Sequence, residues 1–297
     1  MNVNGIEVED TYAEAFDIKI SRFLVTAYDY YWALVAAREA TGFGTSIIMC
    51  PAEAGIERRA RHSETPDGRA GYYVQICHMD DKKLENQLIA RIGQCILTSP
   101  TASVFDGLTD SETNFDTGNK LRYFGDGYET SVERYGRKLW EIPVMQGKFE
   151  IEDTIGYTKG IAGGNFFIMG ENQPSALTAA KTAVESIGDV EGAITPFPGG
   201  IIASGSKVGA NKYSFLKATA NEKFSPALKD KVQDSQIPPG VNAVYEIVIN
   251  GISIDAVKEA TRAGILAATR IPGVVGITAG NYEGKLGKHM VYLNELV

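Results

Sequence analysis

The order of apolar segments in the second half of the chain constrains the fold most. Phe166-Phe167-Ile168-Met169 reads as a buried strand. Pro174 suits a first helical turn, Leu177, Lys181, Val184 and Ile187 recur at helical spacing, and Gly188 ends the run. Val190 to Thr195 reads as a second strand. The succession then returns. Val244 to Asn250 is a strand, Ser253 a helix N-cap, and Val257, Ala260, Gly264, Ile265 and Ala268 an apolar stripe. Pro272-Gly273 breaks that helix before a strand over Val274 to Thr278. The offsets are nearly constant, 81 residues (166 to 247) and 84 residues (190 to 274), which is the mark of an internal duplication.

The first half follows the same grammar. Ile18 to Thr26 is β-prone, and Asp29 caps a helix carrying Trp32, Ala33, Ala36, Ala37 and Ala40, closed by Gly42. Thr45 to Met49 reads as a short buried strand and Tyr72 to Cys77 as another. Asp80 and Asp81 open a helix with Leu84, Leu88, Ile92 and Ile96 one turn apart, and Lys120 to Phe124 reads as the last strand. Each half is then βαββαβ, the split-βαβ or ferredoxin-like order. The expected fold class is α+β, with two ferredoxin-like lobes of antiparallel sheet and helices packed on one face. The expected lobes are 1–145 and 146–297, joined where Gln146-Gly147 can turn a hairpin. The second lobe carries a long inserted segment, 195–240, and the first a polar loop from Ser99 to Asn119. Long loops on a rigid scaffold often carry function.

Composition narrows the chemistry. The 297 residues carry a net charge of -8, with one local basic cluster, Arg58, Arg59, Arg61 and Arg69 beside His62. That is not the footprint of a nucleic-acid binder. No apolar run nears the ~20 residues of a membrane span, and the acidic N-terminus is no signal peptide, so a cytoplasmic location is expected. Cys50, Cys77 and Cys95 form no CxxC pair, the three histidines are scattered, and no HExxH occurs, so no metal site is expected.

Familiar motifs fail on their mechanics. In Gly200-Ile-Ile-Ala-Ser-Gly205-Ser206-Lys207, Ser206 separates the second glycine from the lysine, and Val208 stands where a phosphate loop needs Ser or Thr. Gly42-Phe-Gly44 lacks the third glycine of a dinucleotide loop, and there is no GxSxG. Glycine-rich loops beside strand ends are left: Gly163-Gly164-Asn165, Pro198-Gly199-Gly200 and Ala279-Gly280-Asn281. They are either tight turns and bulges or places where bare N–H groups meet a ligand.

Glu246 is the most informative residue. It is the only acid in Val244-Tyr-Glu-Ile-Val-Ile-Asn250, a strand that reads as buried on both faces. A carboxyl in apolar surroundings has a raised pKa and serves as a general acid or an oxyanion donor. The alternatives are a salt bridge to lysine or a solvent-facing strand end. Cys50, at the end of Ile47-Ile-Met, is either a small buried side chain or a nucleophile. The arginine cluster is either an anion clamp or an exposed polar loop.

Longer strings carry a resemblance. Asn4 to Phe16, Ala40-Thr-Gly-Phe43, Ile48-Met-Cys-Pro-Ala-Glu-Ala-Gly55 and Arg91-Ile-Gly-Gln-Cys95 resemble the formylmethanofuran:tetrahydromethanopterin formyltransferases of methanogenic archaea. So do Gly163-Gly-Asn-Phe166, Thr195-Pro-Phe-Pro-Gly-Gly-Ile201, Val244 to Gly251 and Ala279-Gly-Asn281. The resemblance runs from end to end. It implies transfer of a formyl group from formylmethanofuran to N5 of tetrahydromethanopterin or tetrahydrosarcinapterin. It also implies two ferredoxin-like lobes, no metal or prosthetic group, and both one-carbon carriers bound together as co-substrates. A homodimer or homotetramer follows from it, and the acidic charge suggests that salt favours association. The family's carboxyl falls on Glu246. Gly163, Gly164, Asn165, Pro198, Gly199 and Gly200 are the expected substrate-binding loops, with Lys207, Lys212, Arg58 and Arg59 as docking charges for anionic tails. The competing reading is a non-enzymatic ferredoxin-like module that binds a small ligand without turnover.

Overall fold

A computed structural model describes all 297 residues. The chain forms two compact units, Met1–Asp17 with Ile161–Val297, and Ile18–Gly160. Both are mixed α+β with mostly antiparallel pairing. No helix is long and apolar enough to cross a membrane.

In the unit 161–297 the strand over Ile155–Gly170 leads to the helix Gln173–Ile187, capped by the Asn172 side chain on Ser175 N. The short strand Ala193–Ile194 follows, then the strand Ala243–Gly251, the helix Ile254–Ala268 and the strand Val274–Thr278. Ser253 is the N-cap, as its spacing predicts, and Val257, Ala260, Gly264, Ile265 and Ala268 are buried. Ala193–Ile194 pairs with Ala243–Gly251, that strand pairs with Ile161–Gly170, and the last pairs with Val274–Thr278, all antiparallel. In chain order the strands therefore lie 2-3-1-4. Phe166, Ile168, Tyr245, Ile247, Ile249 and Ile277 pack with the two helices in one core. Strand alternation turns Phe167, Val244, Glu246 and Thr278 to the opposite face.

The first of these helices presents a different stripe from the expected one. Leu177 is 38% exposed, and the buried face is Ala176, Ala179, Ala180, Ala183 and Ile187. Small residues let the helix approach closely: a Cβ at Gly170 would stand 2.8 Å from Ala176 Cβ. The second strand is also shorter than the expected Val190 to Thr195.

In the unit 18–160 the order is the strand Tyr12–Ala27, helix Tyr30–Thr41, strand Glu53–Ala60, strand Ala70–His78, helix Asp81–Arg91 and strand Ser103–Asp106. Pairing gives the same 2-3-1-4 sequence. Asp29 and Asp80 cap the helices, and Leu84, Leu88, Ile92 and Ile96 are fully buried. Two expected strands are corrected. Thr45 to Met49 is a turn with Met49 81% exposed, because Pro51 follows at once and the neighbouring strand is taken by Glu53–Ala60. That strand reads as polar because Glu57 is neutralised internally, and a bulge between Ile56 and Arg58 breaks its alternation. Lys120 to Phe124 is helical, and the fourth strand is Ser103–Asp106 inside the expected polar loop. Four residues buried on both faces carry no period to read. A hairpin forms here between the strands Arg137–Val144 and Gly147–Glu152, but its turn is Met145-Gln146, one residue before the expected Gln146-Gly147, and Gly147 already pairs with Val144.

Candidate active site

Glu246 sits in mid-strand on the face turned away from the helices. Its register partner is Phe167, and Phe167 in turn pairs with Thr278. On the other side the inserted segment adds a single bridge, with Ile202 N donating to Glu246 O at 2.8 Å and Glu246 N to Ile202 O at 3.0 Å. A row of four side chains, Ile202, Glu246, Phe167 and Thr278, thus crosses one face.

The insertion covers this row and leaves a cavity of about 120 Å³. Phe167, Ile202, Ser204, Asn221, Phe224 and Glu246 are among its walls. Phe224 stacks on Phe167 with ring centroids 4.4 Å apart. Glu246 is 7% exposed, makes no ion pair, and its Oε2 has no hydrogen-bond partner. Burial pushes its pKa up to about 7. An unpaired buried carboxyl costs stability. Near neutrality such a group holds or releases a proton.

The glycine loops behave differently from one another. Gly163, at φ +90°, belongs to a bulge in the strand Ile155–Gly170 and donates its N–H to Asn250 Oδ1 at 3.1 Å. A Cβ at Gly164 would stand 2.5 Å from Val257. Asn165 exchanges two bonds with Gly280, accepting from its N–H at 2.7 Å and donating to its carbonyl at 3.2 Å. The Gly163 N–H and the Asn165 side chain therefore already have partners inside the unit.

Pro198-Gly199-Gly200 is a tight turn with both glycines at positive φ. Gly200 is buried, and a Cβ on it would meet Val184 and Thr195 within 2.7 Å. Gly199 is exposed with open space around it. The turn delivers Ile202 to Glu246.

Lys207 is held by Glu222 and by Asn211 Oδ1 at 3.0 Å, so its charge braces the insertion. Lys212 is exposed, makes no ion pair and lies 5.3 Å from the Tyr213 ring centroid. Arg58 and Arg59 belong to the unit 18–160. Arg58 pairs with Glu64 at 3.1 Å, and Arg59 lies 3.3 Å from the Tyr30 ring centroid. Burial pushes the Cys50 thiol up, but hydrogen bonds from Thr45 and Ser46 and the nearby Arg91 charge outweigh it. Its pKa consequently lies below the ordinary thiol value. No group of three or more His, Cys, Asp or Glu side chains is placed to hold a metal ion.

Sequence reasoning did not single out Ile202 or Phe224. Phe224 carries no local signal, because only the folded insertion brings it onto Phe167.

With this geometry in hand, the comparisons with known proteins are specific. A family model described as formylmethanofuran-tetrahydromethanopterin formyltransferase matches residues 1–144, and its companion, the proximal lobe, matches 147–296. Formylmethanofuran–tetrahydromethanopterin formyltransferases from Archaeoglobus fulgidus and Methanosarcina mazei are 72% and 63% identical, each over 100% of both chains. The solved Methanosarcina barkeri formyltransferase is 61% identical, with a TM-score of 0.99 over 100% of both chains. A chain of the Methylorubrum extorquens formyltransferase/hydrolase complex, solved with methylofuran, is 42% identical. Its TM-score is 0.94, over 100% of this chain and 98% of that one. The chain belongs to the formylmethanofuran-tetrahydromethanopterin formyltransferase family.

Proposed function

We propose that this chain transfers the formyl group of formylmethanofuran to N5 of tetrahydromethanopterin, or of tetrahydrosarcinapterin, by direct transfer in a ternary complex. The observation that carries the mechanism is the buried Glu246 carboxyl with one oxygen unpartnered at a cavity. Full-length identity to named formyltransferases supports the reaction over a binding module without turnover.

The chemistry follows from the group. The pterin N5 attacks the formyl carbon, and the carbonyl electron pair moves to oxygen. The C–N bond to the methanofuran amine then breaks, and the departing nitrogen needs a proton. Glu246, protonated near neutrality, supplies it, and its carboxylate takes the proton that N5 loses. Such tuned acid–base catalysis contributes about 10²–10⁴-fold. Holding two carriers in register supplies much of the remainder. Gly199 and Lys212, both exposed and neither in an ion pair, are the docking groups for the carriers. Arg58 and Arg59 are docking charges only if a substrate tail displaces their present partners.

The 2-3-1-4 antiparallel order in each unit supports the ferredoxin-like reading of both. The two family-model matches support sequence domains at 1–145 and 146–297, although the compact units divide the chain elsewhere. Exposed Tyr123, Phe124, Tyr128 and Met145 support a homodimer or homotetramer. Sedimentation at low and high salt tests it: one unchanged monomer mass throughout removes the assembly.

The deciding experiment is a formyl-transfer assay with both carriers. Wild-type turnover with a loss of about 10²–10⁴-fold in Glu246→Gln, at unchanged folding, is the expected result. Wild-type rate should fall as pH rises through about 7. Pterin binding with no wild-type turnover overturns the proposal in favour of the binding module. A formyl-enzyme trapped with formylmethanofuran alone, and abolished in Cys50→Ala, overturns direct transfer.

A further inference from the structure

Glu246 is not the only wall residue of its cavity with an unused polar group. Asn221 lines the same cavity and comes from the inserted segment rather than from the sheet. It is half-buried, and its carboxamide enters no hydrogen bond; only its backbone carbonyl is used, by Phe224 N at 3.3 Å. Glu246 Oε2 has no partner either, so the two groups do not satisfy each other. Both remain available to a molecule that enters.

The wall that carries Asn221 is fixed on each side of it. Before it, Lys207–Val208 pairs antiparallel with Ala218–Thr219, and the Thr219 hydroxyl donates to the Gly209 carbonyl at 2.8 Å. Directly after it, Glu222 is clamped by Lys207 and by Asn211 Nδ2 at 3.0 Å. Three residues on, Phe224 stacks on Phe167. Gly205, another wall residue, packs against Asn221, since a Cβ added to it would stand 3.5 Å from Asn221 Cβ. A donor in such fixed surroundings is spared the cost of reorganising when charge develops beside it.

Size limits what can enter. The cavity holds about 120 Å³. A pocket for a whole ligand of drug size takes roughly 300–1,000 Å³, and a cavity of about 150 Å³ takes one benzene ring. The space beside Glu246 therefore admits the reacting end of a carrier and not the carrier. A formamide end has an acceptor oxygen and, one carbon away, a nitrogen that becomes basic as it departs. The two unused groups meet those two needs, with amide N–H for the oxygen and a protonated carboxyl for the nitrogen.

Resting on the formyl-transfer reading above, we propose that Asn221 is a catalytic residue whose Nδ2–H donates to the formyl oxygen. When N5 attacks the formyl carbon, the carbonyl π pair moves to oxygen, and the Asn221 N–H holds that oxyanion without giving up its proton. Collapse re-forms C=O and breaks the C–N bond to methanofuran. The bond pair leaves on that nitrogen, which takes its proton from Glu246, and the Glu246 carboxylate takes the proton that N5 loses. The sheet thus supplies the acid and the insertion the oxyanion donor.

Steady-state transfer by wild type, Asn221→Ala, Asn221→Asp and Ser225→Ala tests this. Asn221→Ala should lower kcat about 10²–10³-fold with little change in KM, the loss expected for one oxyanion donor. Asn221→Asp keeps the shape and removes the N–H, so it should lose at least as much. It decides the matter if Asn221→Ala does not fold. Ser225 is the other half-buried polar side chain of the wall. Wild-type kcat in the Asn221 variants overturns the proposal, and a loss in Ser225→Ala alone moves the donor to that hydroxyl. A loss confined to KM also overturns it, because it makes Asn221 a docking group. Each of these results leaves the transferase intact as long as the wild type turns over. Absence of wild-type turnover instead defeats the transferase reading, and this inference falls with it.

Discussion

The two units carry a buried carboxylate on equivalent faces of equivalent sheets and treat it in opposite ways. In the unit 18–160, Glu57 is 3% exposed. Arg22 grips it at 2.7 and 2.8 Å, and Gln75 Nε2 donates to it at 2.8 Å. Arg22 and Gln75 are register partners, the same strand-one to strand-three pairing that joins Phe167 and Glu246 in the other unit. There the partner is a phenylalanine, and the carboxyl has no counter-charge. What covers the sheet differs too. In the unit 18–160, Leu139 packs with Leu24, Ala60 and Phe105 and closes the face with apolar contact. In the unit 161–297, an insertion with little regular structure covers it and leaves a cavity. The same scaffold holds a neutralised carboxylate in one unit and an unpaired carboxyl in the other, and both the partner residue and the covering segment differ.

Arg22→Met should break that contrast with the largest effect on stability. It leaves Glu57 buried and unpaired, and such removals cost about 3–5 kcal/mol. Urea unfolding at pH 7 should show it. An unchanged midpoint would mean that Gln75 and Arg58, whose Nε lies 3.8 Å from Glu57, neutralise it unaided.

Glu246 gives the next largest effect, with the opposite remedy. Its pKa rises from 4.5 unfolded to about 7 folded. Below 4.5 both states hold the proton. Between 4.5 and 7 only the folded state does, so stability should fall as pH rises across that window and level off above it. The shift corresponds to about 3 kcal/mol. Tyr282, the ionisable neighbour whose pKa Glu246 raises, stays protonated throughout. The check is the difference between wild type and Glu246→Gln in chemical denaturation from pH 4 to 8. A difference that does not vary with pH would place Glu246 in contact with water or a cation.

The same contrast explains what the sequence could disclose. Glu246 was legible as a candidate because it stands alone in an apolar strand, although a salt bridge or a solvent-facing strand end stayed open until the resemblance fell on it. Glu57 was not, because Arg58 and Arg59 beside it and the bulge at Ile56 make a buried strand look like a surface loop. Helix caps at Asp29, Asp80 and Ser253 were legible for a local reason: a cap bonds within three residues of itself. The cavity walls were not local. Phe224 reaches Phe167 across 57 residues of sequence (167 to 224). The glycine loops were visible, but whether an N–H is free depends on side chains elsewhere, such as Asn250 for Gly163.

The smallest effect sharpens the comparison from the outside. Glu64 pairs with Arg58 through two bonds of 3.1 Å, yet their side chains are 31% and 16% exposed. Water competes for both charges there. Arg58 keeps its contact with the Tyr73 ring, 4.6 Å from the centroid, when the carboxylate is lost. Glu64→Gln should therefore cost only about 0.2–1 kcal/mol, and salt should shrink the difference. Glu64 also accepts the Arg61 N–H at 2.6 Å, a bond the glutamine oxygen can preserve. If Arg58 docks an anionic substrate tail, freeing it from Glu64 should lower KM without changing kcat. A KM that does not move would leave Arg58 as a surface partner of Glu57 and Tyr73, and would assign carrier docking to the unit that holds Glu246.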